Sequence, residues 1–318
     1  MATNTDITST YSGEAAAGYI AAALLEGNTI AKGGIEVLQN IKYKQVMQKL
    51  AAGGNIITAG TCDFTPSGDI TITERVLEPK EFQVNLEFCT QKWLDSWEAI
   101  SMGYSAYNNP PKDFTAYIMG HVAKMVAEST EQAIWTGGGE SDITGFVNLF
   151  LNDADVNRVQ GEGAVENYNV QEKLSATLNA LDSKLYGLDD LYLYVSQDVA
   201  MKYVQSLGGQ GTGNQGFENK GMMWYGGDAL SFAGTKVFTA NGLPANTIIA
   251  AQKSNLFFGT GLLNDSNSAR LIDMSSTTGS QNFRVIMRYT AGVQYGIGAE
   301  VAMHYAAAGG DFGDPGGM

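Results

Sequence analysis

Histidine, cysteine and proline are scarce in this chain, at two, two and six residues of 318, and two of these shortages remove a class of chemistry. His121 and His304 are the only imidazoles. No GxSxG elbow or HExxH string accompanies them, so neither a Ser–His nucleophile nor a zincin centre is encoded. Cys62 and Cys89 are too few and too far apart for a zinc pattern. Both lie in segments read as extended and are expected to be free thiols in a reducing compartment. Basic residues are also in deficit, with 19 Lys and Arg against 33 Asp and Glu and a formal net charge of −14. That balance excludes binding by neutralisation of phosphates. The longest apolar run, residues 15–25, falls short of the ~20 residues that span a bilayer. Residues 1–6 carry no basic stretch, so the expectation is a cytoplasmic chain with no signal peptide and no membrane partner.

What the chain has in excess is glycine, at 39 residues, or about 12% against a usual share of about 7%. Hydrophobic residues make up 44%, which places it in the globular class, and its length suggests about two domains. No internal repeat is present. Residues 1–41 hold one short helix candidate from about Ser12 to Gly27 and lack the bulk for their own core, so they read as an extended arm. Ile56-Ile57-Thr58 and Ile70-Thr71-Ile72-Thr73 flank a cluster of turn formers at 63–69, a long hairpin. After Pro79, Phe82, Val84, Leu86 and Phe88 alternate with Glu81, Gln83, Asn85 and Glu87, the pattern of a two-faced strand. A short helix is expected from Thr90 with Trp93, Leu94 and Trp97 on one side. Over 113–135 a long helix is expected, with Phe114, Tyr117, Ile118, His121, Val122, Met125, Val126 and Ser129 on one stripe. Lys124, Glu128, Glu131 and Gln132 fall on the other face, and Thr136-Gly137-Gly138-Gly139 ends it.

Residues 153–169 read as a polar linker, with a domain boundary near Val165. Leu174, Leu178, Leu181 and Leu185 form a helical stripe, 191–195 a buried strand, and Ser196 the cap of a helix over 197–207. Strand-like runs follow at 236–239, 247–250, 283–289 and 293–304. The glycine-rich tail beyond Gly309 is expected to be disordered.

Three motifs invite a catalytic or binding role and are outweighed by plainer readings. Gly211-Thr212-Gly213-Asn214-Gln215-Gly216 matches GxGxxG, but it follows a helix instead of linking a strand to a helix start. Asp189-Asp190 and Glu78 with Glu81 could serve as acid and base or as metal ligands, yet no calcium-loop spacing surrounds them. Trp93, Trp97, Trp135, Trp224 and Tyr225 are not interleaved with Lys or Arg as a single-strand binding groove requires. The expectation is no catalytic, cofactor-binding or metal site.

The order of elements, together with several strings, resembles the Hong Kong ninety-seven-type capsid fold of tailed-bacteriophage major capsid proteins, an α+β fold. Leu77-Glu78-Pro79-Lys80 running through 82–88 to Lys92-Trp93-Leu94-Asp95-Ser96 is similar to that family's passage from hairpin to first helix. Glu131-Gln132-Ala133-Ile134-Trp135-Thr136-Gly137-Gly138, followed by Ile143-Thr144-Gly145-Phe146, is similar to its long-helix end. Leu193-Tyr194-Val195-Ser196, Gly234-Thr235-Lys236-Val237, Leu243-Pro244, Phe257-Phe258-Gly259 and Arg284-Val285 through Arg288-Tyr289 to Val293 resemble its second half.

The resemblance implies an N-terminal arm (1–41), an extended β-hairpin loop (55–88), and a peripheral domain (42–54, 89–164 and 282–306) whose spine helix covers about 113–135. It further implies an axial domain (165–281) and a flexible tail (307–318). The implied role is structural and not enzymatic: hexamers and pentamers of the chain build an icosahedral virion capsid around double-stranded DNA, which it confines without sequence-specific contact. Implied partners are other copies of the chain and separate scaffolding, portal and decoration proteins, with assembly in the host cytoplasm. Two departures matter. The arm follows Met1 almost directly, without the scaffolding segment of some members, so that any scaffolding is expected to be a separate protein or the chain to be already processed. Residues 55–77 contain no Lys, and Lys80 sits at the hairpin base, so no isopeptide crosslink is expected. An encapsulin-type compartment and a nucleotide-binding enzyme using the Gly211 loop stay open as alternatives.

Overall fold

The structure, a computed structural model, describes residues 28–53, 69–89, 112–137, 143–161, 164–207, 230–261, 270–274, 278–280 and 282–306. The architecture is mixed α+β, with three sheets and five helices among the described residues. A five-stranded sheet joins β1 (Glu36–Leu38), β10 (Leu256–Thr260), β12 (Asn282–Tyr295) and β11 (Arg270–Asp273) in that order, with β4 (Lys80–Cys89) also on β12. A six-stranded sheet runs β5 (Asn157–Gly161), β13 (Val301–Ala306), β9 (Ile248–Gln252), β6 (Leu191–Val195), β8 (Thr235–Thr239) and β7 (Ser231–Phe232). The third is a ribbon of β2 (Gln45–Gly53) and β3 (Asp69–Leu77) alone. The helices are α1 (Asn28–Ala31), α2 (Lys112–Trp135), α3 (Phe146–Asn152), α4 (Val170–Asn179) and α5 (Gln197–Leu207).

The near-continuous apolar run of β6 is what a strand covered on both faces needs. Leu191, Leu193 and Val195 belong to a core with Leu174 and Leu178 of α4 and Val199, Ala200 and Tyr203 of α5. Tyr194, on the opposite face, belongs to a second core with Ile134 and Trp135 of α2, Phe146 and Phe150 of α3, and Phe258, Val293 and Tyr295 of the five-stranded sheet. One core therefore fuses both sheets and the end of the long helix. Trp135 lies at its centre, with ring centroids 5.5 Å from Phe146 and 5.2 Å from Tyr194.

β12 carries the alternation expected of a half-solvated strand, with Phe283, Val285 and Met287 buried and Arg284 and Arg288 exposed. Its outer face is tied to β4 by Arg284 Nε to Glu87 Oε2 at 3.1 Å and Asn282 Nδ2 to Glu87 Oε1 at 2.7 Å. The end of α2 depends on Gly137 at φ 61°, where a Cβ would stand 2.1 Å from the Gly145 nitrogen. Only glycine fits both that left-handed conformation and that approach.

Several elements depart from the sequence reading. The first ribbon strand is Gln45–Gly53, paired from Gln45 opposite Leu77 to Gly53 opposite Asp69. The β-branched run Ile56-Ile57-Thr58 lies outside the described residues, and the partner of Ile70–Thr73 is the mixed segment Lys49–Ala52. Part of the expected arm is built into the body: Thr29, Ile35 and Ile41 are buried, and β1 pairs in parallel with β10. The polar stretch 153–169 contains β5, paired with β13. Sheet membership also does not follow chain order. β10 and β11 belong with β12, whereas β13 belongs with β5, β9 and β6. The helix from Thr90, the Ser12 helix and the tail beyond residue 306 lie outside the described residues.

Candidate assembly surfaces

Two surfaces follow from this architecture: the ribbon, which leaves the body, and the clasp that holds residues 28–38 against it. A two-stranded sheet cannot bury its own apolar side chains, because each face lacks a covering layer. Val46, Ile72 and Val76 are accordingly 49%, 60% and 42% exposed. Among the described residues neither ribbon strand pairs with a third strand, and open strand edges are the feature through which sheets recruit other chains.

At its root the ribbon is fastened. Leu77 is fully buried, and a Cβ on Gly259 would stand 2.8 Å from both Ile41 and Leu77 side-chain carbons. Gln294 Nε2 donates to Val76 O at 3.1 Å, and Lys44 pairs with Glu78 at 2.9 Å. The Arg75 guanidinium pairs with the Asp153 carboxylate and lies 4.2 Å from the Tyr295 ring centroid, while the Tyr295 hydroxyl donates to the same carboxylate. Burial works against the Asp153 charge, but hydrogen bonds from Tyr295, the Asp155 backbone and Arg75 outweigh it and hold the carboxyl below its ordinary range. Burial and the bond to Asp153 push the Tyr295 phenol well above its ordinary value.

The clasp centres on Glu131, which is 3% exposed. Periodicity put Glu131 on the solvent face of α2; instead its carboxylate accepts from Thr29 N at 3.0 Å and from the Thr29 hydroxyl. Trp135 Nε1 donates to the same hydroxyl oxygen at 2.7 Å. Conversely, Met125 and Ser129 of the expected core stripe are exposed. The helical stripe is rotated because its neighbour is the 28–31 turn, which sequence periodicity cannot reveal. Asn28 Nδ2 donates to Thr239 O, and Tyr194 OH donates to Gly34 O, so this segment bridges α2 and the six-stranded sheet.

The candidate chemical groups do not converge. Asp190 accepts from Gln252 and Ser254, Glu78 pairs with Lys44, and Glu81 pairs with Arg288 at 3.8 Å. Among the described residues no group of three His, Cys, Asp or Glu could hold a metal ion, and no helix is long and apolar enough to cross a membrane. His304 is fully buried on β13, with Nδ1 3.1 Å from Val159 O and Nε2 without a hydrogen-bond partner. Burial, aided by the charge of Lys173, lowers its pKa. Trp135 is a core residue. The Gly211–Gly216 loop, Cys62, Trp93, Trp97, Trp224, Tyr225 and the side chains of His121 and Cys89 lie outside the described residues. Sequence reasoning missed the Arg75–Asp153–Tyr295 knot and the Thr29–Glu131 clasp. The only available signal was that Arg75 is the single basic residue between positions 55 and 77.

No protein-family model matches the chain, and no curated protein matches it. Solved structures do. The capsid of an empty GTA particle aligns with a TM-score of 0.59 at 13% identity, covering 89% of this chain and 90% of that one. The Gordonia phage Cozz structure aligns at 0.58 and 11% identity, covering 88% and 87%. The capsid of Myoviridae phage XM1 aligns at 0.55 and 12% identity, covering 88% and 92%. The chain therefore has the fold of tailed-phage capsid proteins, the Hong Kong ninety-seven type.

Proposed function

We propose that this chain is a major capsid protein that assembles with copies of itself, through hexamers and pentamers, into an icosahedral shell around double-stranded DNA. The observation that carries the reading is the agreement in fold with phage capsids across nearly the full length of both chains. The ribbon supports it physically, because its apolar side chains and edges stay open until another molecule covers them. Head-to-tail contacts of this kind close into rings, and rings into shells. On this reading the α2 helix is the spine of the peripheral domain, built with the five-stranded sheet. Most of residues 165–281, completed by β5 and β13, form the axial domain. The β2–β3 ribbon belongs to the extended loop, β4 stays with the five-stranded sheet, and the arm of 1–41 is fastened to the body from Asn28 on. The role is structural, and the net charge of −14 keeps an inner wall from adhering to packaged DNA. Portal and decoration proteins are its further partners, and assembly takes place in the host cytoplasm before the chain resides in the virion.

The test is negative-stain microscopy with sizing chromatography, on the chain expressed alone and with candidate scaffolding proteins. Closed shells or five- and six-membered rings are expected. Nucleic acid in the shells distinguishes a capsid from a protein-storing compartment. A compact monomer or dimer under every condition contradicts the proposal.

A further inference from the structure

Among the described residues, the hydrogen bonds and ion pairs that tie the ribbon to the body stand at Arg75 and Val76, within three residues of its end at Leu77. The ribbon is nine residue pairs long, or about 30 Å at ~3.4 Å per residue. A long lever held at one end amplifies any play at its root. A tilt of about 10° moves the far end about 5 Å, several times the slack of under ~1 Å that apolar contact tolerates. The ribbon can mate with a fixed surface on another copy only if its root angle is fixed too.

The Arg75, Asp153 and Tyr295 arrangement has the features such a fixture needs. Its three groups come from three separate parts of the chain: Arg75 from β3, Asp153 from just after α3, and Tyr295 from the end of β12. Arg75 pairs through Nη2 with the carboxylate, and its guanidinium carbon lies 4.2 Å from the Tyr295 ring centroid. An ion pair and a ring contact made at once by one rigid group restrict it more than a compact ammonium would be restricted. Tyr295 packs in turn against Phe150, with ring centroids 4.9 Å apart, so the anchor is continuous with the fused core. Side-chain exposures of 30% for Arg75 and 17% for Asp153 shield the pair from the salt screening that weakens surface pairs.

We propose that the Arg75–Asp153–Tyr295 knot sets the angle of the ribbon on the body, and through it the curvature and uniformity of the assembled shell. The inference rests on the shell reading above. Arg75 is then a positioning residue: it acts through the ribbon and touches no neighbouring copy in this role.

Arg75→Ala, Arg75→Lys and the wild type are to be compared by backbone amide exchange on the unassembled chain and by particle imaging after assembly. In Arg75→Ala the amides of residues 75–77 are expected to exchange about tenfold faster or more, while those of β6 and β9 in the core are unchanged. Its particles are expected to lose the single wild-type diameter or to stop at open sheets and rings. Arg75→Lys keeps the charge without the planar fork, and is expected to recover little of the uniformity. Arg75→Ala shells identical in diameter and yield to wild type overturn the inference. If the wild type itself never assembles, the shell reading fails, and amide exchange alone decides whether the knot fixes the ribbon. Unchanged exchange at 75–77 overturns it.

Discussion

Glu131 and His304 are polar side chains placed in the core, one fully hydrogen-bonded and one half-bonded, and this difference governs how each responds to change. Thr29→Val removes the hydroxyl that serves both Glu131 and Trp135 while keeping its shape. A buried carboxylate then loses a donor, and denaturant unfolding is expected to show a loss of about 3 kcal/mol. His304 Nδ1 donates to Val159 O, so the unpartnered Nε2 carries the lone pair. Protonating it would place a second N–H in the core with no acceptor, near the cationic Lys173. The folded pKa is thus below the ordinary 6.5, and the sign is fixed: the unfolded chain binds the proton more readily. Stability is full above about pH 6.5, falls as pH drops below it, and levels off beneath the folded pKa. Thermal unfolding followed from pH 8 to pH 5 is expected to show this decline, with a shallower slope in His304→Leu. Neither residue's burial was legible in sequence. Thr29 and Glu131 meet across 102 positions, and an acidic residue next to Gln132 on a helix looks solvated until its neighbour is known.

Elements with strong internal patterns could be read directly. The apolar run 191–195, the long helix ending at Trp135 and the 197–207 helix stand as expected, because one face or two dictate their composition. The ribbon was placed in part: its second strand and Leu77 end were legible, whereas the partner of that strand, the mixed segment Gln45–Gly53, carries no strong pattern of its own. Its apolar face supplies the element-scale test. Ile72→Lys is exposed in the isolated chain, and its unfolding free energy is expected to stay within about 0.5 kcal/mol of wild type. The same change puts a charge where a neighbouring copy would cover the strand, so assembled yield is expected to collapse in a sedimentation assay. Equal yield would mean that this face stays in solvent. Gly137→Ala is expected to behave oppositely, failing to fold well, since the Cβ meets the Gly145 backbone; soluble expression checks it.

For the whole molecule, element order carried more information than any motif. Helix and strand succession over about 300 residues sufficed to indicate the capsid fold. Strands close in sequence, β12 and β13, enter different sheets, and chain order alone does not determine that choice. The shared core around Trp135 makes the two sheets one body, so the account places the open, partner-seeking surface on the ribbon. The absence of Lys between residues 55 and 77 bears on the assembled state: boiled particles are expected to run as a single monomer band on a denaturing gel, without a ladder. The most direct measurement is a cryo-electron reconstruction of particles assembled from the wild-type chain. The account predicts closed shells of five- and six-membered rings, with each β2–β3 ribbon lying across a neighbouring copy and Val46, Ile72 and Val76 covered there. A discrete small oligomer with those side chains in solvent, or a ribbon folded back on its own body, would contradict it.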